Sequence, residues 1–171
     1  MPKPAARTGP EIELVLEMLA STPRQIARIA RGHDDRQLHR QPAAGAWSAR
    51  DIVAHLRACA EVWGRSIDQM IKVDHPTMRH VSPRGWIKRT DYLDQSFRVS
   101  LRAFSETRTA LLDTLNTLGM AGWSRRATFT GTTLGRDATV LIYARRIADH
   151  EVQHLDNYGG PSHNETSRTA G

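Results

Sequence analysis

The sequence predicts an all-α protein built as a four-helix bundle, and three observations carry that expectation. Four long segments repeat their apolar residues at steps of three and four, the spacing that lines one face of a helix. Loop-forming connections of about ten to twenty residues separate them, long enough to carry function. Period-two alternation is nearly absent, and leaves room only for a short β-hairpin before the last helix, around Ala127–Leu134 with Gly131 at its turn.

The first helix begins after Pro10, a residue suited to a first helical turn because its missing N–H would be unpaired there anyway. Its stripe reads Ile12, Val15, Leu16, Leu19. Pro23 is expected to kink the helix or to restart it with Thr22 as a new cap, after which Ile26 and Ile29 continue the face and Gly32 ends it. In the second helix Ser48 is the N-cap candidate and Asp51 sits where the acidic partner of a capping box belongs. The apolar face then runs Ile52, Leu56, Cys59, Ala60, Trp63, Ile67, Met70, Ile71. The third is expected from about Asp91 to Leu118, with Phe97, Leu101, Phe104, Leu111 and Leu115 in register and Arg108 inside the stripe. The fourth, from about Asp137 to Tyr158, carries Leu141, Ala144, Ile147, His150, Glu151, His154 and Leu155. Residues 1–9 and 159–171, rich in Pro, Gly, Ser and Thr, read as mobile ends around a single domain at 10–158.

Composition narrows the chemistry. The 171 residues are enough to bury a core without staples. The one cysteine, Cys59, excludes an internal disulfide framework and a cysteine-based zinc finger. No apolar run approaches a membrane span and the start lacks the apolar core of a secretory signal, so a cytoplasmic location is expected. A net charge of +6 raises the question of nucleic acid. The basic residues are scattered, however, with Arg125-Arg126 and Arg145-Arg146 as the densest groups, so nucleic acid is not the expected partner.

Eight histidines remain. His150 and His154 lie four apart, so one helical turn stacks both imidazoles on one face, a good chelate for Zn, Ni or Fe. The pair alone is equally compatible with two histidines brought together by chance. His55, in line with Ile52 and Cys59, is either a core histidine or a third ligand that a bundle could aim at the pair. Three imidazoles with an open position describe a catalytic rather than a structural site. The run His150-Glu151-Val152-Gln153-His154 also satisfies H-E-x-x-H, the zinc-protease pattern. Its extended form needs Gly and His where Asn157 and Gly160 stand. The other form needs a ligand Glu on a downstream helix, where only Glu165 in a Gly- and Ser-rich stretch is present. The protease reading is therefore set aside. His33, His39, His75, His80 and His163 fall in loops or ends and are assigned to solvent.

Two further groups of residues hold the family resemblance. Trp47-Ser48 is followed by Asp51-Ile-Val-Ala-His55-Leu, after the lead-in Arg40-Gln-Pro42-Ala-Ala-Gly45-Ala. Near the end stands Ile147-Ala-Asp-His150-Glu-Val-Gln-His154-Leu. Their order and separation resemble the DinB-like (DinB/YfiT-like) superfamily over about residues 11–158. The resemblance implies a bundle in which His55, His150 and His154 bind a divalent metal (Zn, Ni or Fe), with water in the remaining positions. It also implies metal-dependent transfer of low-molecular-weight thiols or hydrolase-like activity on a small-molecule substrate, and a homodimer. A non-catalytic, stress-related metal-binding or scaffold bundle is the alternative.

Around that ligand set, Glu151 and Asp149 either orient a histidine or face solvent. Arg108, rarely tolerated unpaired in a core, either pairs with a carboxylate such as Asp51 or Glu61 or lines a pocket for an anionic substrate. Cys59 reads first as a buried free thiol and only then as a fourth ligand or nucleophile. Trp86, Trp123 and Tyr143 read first as core or rim; as substrate contacts, Trp86 and Trp123 are better placed because they lie in the connecting loops.

Overall fold

A computed structural model gives the structure of residues 9–132 and 136–158. Apart from Gly9, the two ends expected to be mobile lie outside the described residues, as does Leu134 of the expected hairpin. The fold is the expected four-helix bundle, with a small sheet at one end. Its elements are α1 (Pro10–Ala30), α2 (Asp35–His39), α3 (Ala49–Lys72), β1 (Thr77–Arg79), α4 (Pro83–Ile87) and α5 (Phe97–Asn116). Then follow α6 (Met120–Trp123), β2 (Arg126–Thr130), β3 (Asp137–Thr139) and α7 (Val140–Tyr158).

The long helices α1, α3, α5 and α7 form the bundle. α3 packs on α5 and α7, and α1 packs on the same two. This order makes α3 and α7 neighbours, which is what allows residues far apart in sequence to meet. One layer of core holds Leu19, Ile67, Leu115, Trp123, Phe129 and Ile147. A second holds Ile26, Val53, Leu56, Phe97, Phe104 and Leu155.

Local chemistry sets the helix ends. At α3 the Asp51 N–H donates to Ser48 Oγ (3.2 Å) while the Ser48 N–H donates to Asp51 Oδ2 (3.0 Å), closing the expected capping box. Gly32 follows α1 at φ +86°, a left-handed position open to glycine. α5 starts at Phe97 rather than Asp91, because Ser96 Oγ accepts from the Val99 N–H and His39 Nε2 accepts from the Phe97 N–H.

Pro23 does not restart α1, which runs unbroken to Ala30. Thr22 is a buried helix residue whose hydroxyl donates back to the Met18 carbonyl, not a cap. The proline leaves the Leu19 carbonyl without its N–H partner, and Arg108 Nη1 from α5 donates to that oxygen at 3.0 Å. A side chain from the neighbouring helix thus replaces the lost backbone bond.

β2 and β3 pair antiparallel with Ala127 opposite Ala138, so the second strand lies beyond the expected Ala127–Leu134, and Gly131 takes φ +73° after β2. β3 occupies Asp137–Thr139, so α7 starts at Val140. β1, which the sequence reading did not anticipate, pairs parallel to β2. No helix among the described residues is long and apolar enough to cross a membrane.

Candidate metal centre

His55 lies two turns into α3, 5% exposed, and faces α7. Its Nε2 is 3.4 Å from His150 Nε2, across 95 residues of sequence, and His150 Nε2 is 3.2 Å from His154 Nε2. The i, i+4 spacing on α7 supplies the second contact and the α3–α7 packing supplies the first. Imidazole nitrogens bound to one tetrahedral metal at about 2.0–2.1 Å stand about 3.3 Å apart. The two observed separations match that edge, so His55 with His150, and His150 with His154, could each share a metal of the zinc type.

Aromatic rings wall the cluster. Trp47, at the end of the lead-in to α3, stacks on His154 (centroids 6.0 Å, planes 2° apart) and meets His55 edge-on at 5.1 Å. Trp63 stands perpendicular to His150 at 4.9 Å. Arg84 of α4 lies over Trp47, 5.6 Å from its centroid. Burial, then the charges of His154, His150 and Arg84, lowers the His55 pKa to about 3. Burial, His154 and Arg84 lower that of His150 to about 4. His154 is lowered by burial and Arg84. All three rings are therefore neutral at physiological pH, the form that binds metal.

Cys59, one turn after His55, brings Sγ to 3.4 Å from His55 Nε2. Among the described residues, the group whose ligand atoms all lie within 4.8 Å of one another is His55, Cys59 and His150, and His154 adjoins it through His150. Burial, and then the negative charge of Glu151, pushes the Cys59 thiol far above its usual range. Without a metal it stands there as a protonated thiol, and binding an ion would release that proton.

Glu151 and Asp149 do not touch the histidines. Asp149 accepts from Arg145 Nε on the helix surface (2.9 and 3.1 Å). Glu151, fully buried, takes both its oxygens to Arg108, one at 2.8 Å from Nη1 and the other against Nη2. With both oxygens engaged, Glu151 has none left to act as a protease base. Arg108 lies in the core, paired with Glu151 rather than with Asp51 or Glu61. His150 Nδ1 is buried with no acceptor among the described residues, so ring packing rather than a carboxylate orients it.

A cavity of about 400 Å³ opens beside His150, between α3, α7 and the sheet. Trp63, Phe129, Tyr143 and Ile147 give it apolar walls, and Tyr143 stacks on Phe129 at 5.0 Å. Trp123 instead is core, 1% exposed. Trp86 packs on α3, its Nε1 donating to Glu61 Oε2 at 3.1 Å and its ring facing Arg65. Neither lines the cavity. Two residues at the centre escaped the sequence reading. Arg84 sits on α4, whose Ser82-Pro83 start is a legible N-cap and first-turn signal. His80, assigned to solvent, lines the cavity because its N–H donates to the Thr130 carbonyl (2.8 Å) and extends the β1–β2 ladder.

Comparison with known proteins decides the family. The model of the DinB superfamily matches residues 18–156, which include all three histidines. The chain belongs to the DinB superfamily. Its structure is similar to that of YfiT from Bacillus subtilis, described as a probable metal-dependent hydrolase with an unusual four-helix bundle topology. The two share 18% identity and a TM-score of 0.71, over 92% of this chain and 91% of that one. It is also similar to a DinB-like protein, YjoA, from Bacillus subtilis, at 15% identity and a TM-score of 0.58, over 85% and 86% of the two chains. None of the curated protein sequences compared with it matches. At these identities the likeness shows the fold of this DinB-superfamily protein.

Proposed function

We propose that this DinB-superfamily protein holds one divalent transition metal through His55, His150 and His154 and is a metal-dependent hydrolase of small molecules. The observation that carries the reading is the meeting of three imidazole Nε2 atoms at 3.2 and 3.4 Å beside a cavity of about 400 Å³. The description of YfiT as a probable metal-dependent hydrolase supports the same direction. A divalent ion held by neutral imidazoles supplies Lewis acidity, which lowers the pKa of a water or thiol at its open position.

The chain's own residues account for the rest. Burial keeps the three rings unprotonated, so no bound proton has to leave before they donate their lone pairs. The Arg108–Glu151 pair ties α7 to α5 next to His150 and so limits movement of the ligand turn. The cavity seats a substrate against His150 with apolar walls that hold back bulk water.

Protein stripped of metal and reloaded with Zn, Ni or Fe is assayed with 4-nitrophenyl acetate. Hydrolysis is expected to require metal and to be lost in His55→Ala, with the exposed change His33→Ala unaffected. Equal rates with and without metal would overturn the hydrolase reading.

A further inference from the structure

The cavity beside His150 is selective in charge as well as shape. Besides its aromatic walls it is lined by His80 and Arg146, and no acidic residue among those described lines it. Arg146 lies one turn before His150 on α7, so its side chain and that imidazole share a helix face. The neighbouring arginines differ in what they bind: Arg145 is paired with Asp149, whereas Arg146 makes no ion pair with any described residue. It is exposed, at the rim of an apolar chamber, where water competes less for a bound anion than on open surface. The parallel pairing of β1 with β2 brings His80 to the same chamber.

We propose that this cavity takes a small organic anion, its aromatic or branched apolar body against Trp63, Phe129 and Tyr143 and its carboxylate or phosphate on Arg146 and His80. Held this way, the ligand has its charged end one helical turn from His150, which also lines the cavity. The volume of about 400 Å³ lies within the range that encloses a drug-sized molecule. As a statement about substrate, the inference rests on the reading of the cluster as a metal centre; as a statement about binding, it stands on the cavity alone.

Titration calorimetry on metal-stripped protein separates the two. The probes are 4-phenylbutyrate, its neutral isostere 4-phenylbutanamide, and butyrate, which keeps the charge without the ring. The carboxylate is expected to bind about tenfold tighter than the amide, the discrimination of one charge-assisted pair. Arg146→Gln, an exposed change that leaves the core intact, is expected to bring the two affinities together by weakening only the carboxylate. Butyrate is expected to bind far more weakly than 4-phenylbutyrate. Equal affinity for carboxylate and amide, an unchanged ratio in Arg146→Gln, or butyrate matching 4-phenylbutyrate would each overturn the proposal. Zinc content of the same preparations after reloading reports on the metal reading separately, since the binding arms contain no metal.

Discussion

His55 and His150 show how burial, without a carboxylate partner, keeps an imidazole neutral. Their pKa values fall to about 3 and about 4, against about 6.5 in an unfolded chain. Between those limits the unfolded state holds more protons than the folded one, so stability decreases as pH falls through that window. Above pH 6.5 both states are neutral and the contribution is complete. Metal-free protein is therefore expected to melt progressively lower from pH 7 to pH 4.5. His55→Ala, which removes the more strongly shifted group, should flatten that dependence; an unchanged slope in thermal melts would contradict the assignment. The sequence makes the i, i+4 pair of His150 and His154 legible because helical spacing is local. It does not disclose Arg84 or His80, whose positions depend on a short helix and a three-residue strand that leave little periodic signal.

Among the elements, the link between α1, α5 and α7 runs through a single guanidinium. Arg108 donates to the Leu19 carbonyl on α1 and to both oxygens of Glu151 on α7, so a proline on one helix and an acid on another share one partner. Leaving Glu151 buried without it would cost about 3–5 kcal/mol. Arg108→Lys keeps the charge but loses the planar fork that pairs Glu151 bidentately while reaching Leu19. In the Pro23→Ala background the backbone N–H restored at position 23 takes over the Leu19 carbonyl, so Arg108→Lys should cost about 1 kcal/mol less there than in the native chain. Urea denaturation of the four proteins measures this; strictly additive costs would contradict the shared-partner account. The long helices were legible for a related reason. Stripes such as Phe97, Phe104, Leu111 and Leu115 record burial on one face, and Ser48 with Asp51 marks a start. Which acid meets Arg108 was not legible, because 43 residues separate the pair and only the packing order of the helices brings them together.

For the molecule as a whole, the fold's main consequence is that α3 and α7 become neighbours. A metal at the cluster would tie together helices that are distant in the chain, so ligand binding and bundle stability are coupled by mass action. Two of the arginines behind the charge of +6 stand beside the cluster and its cavity, Arg84 over Trp47 and Arg146 at the cavity rim. The central claim is that three imidazoles, and not the Cys59 thiol, hold one divalent metal. Anomalous scattering at the zinc edge, from crystals of protein loaded with zinc at equal molarity, tests it most directly. The account predicts one peak about 2.1 Å from the Nε2 atoms of His55, His150 and His154. No peak at the cluster, or one bound to Cys59 Sγ with His154 outside the coordination sphere, would contradict it.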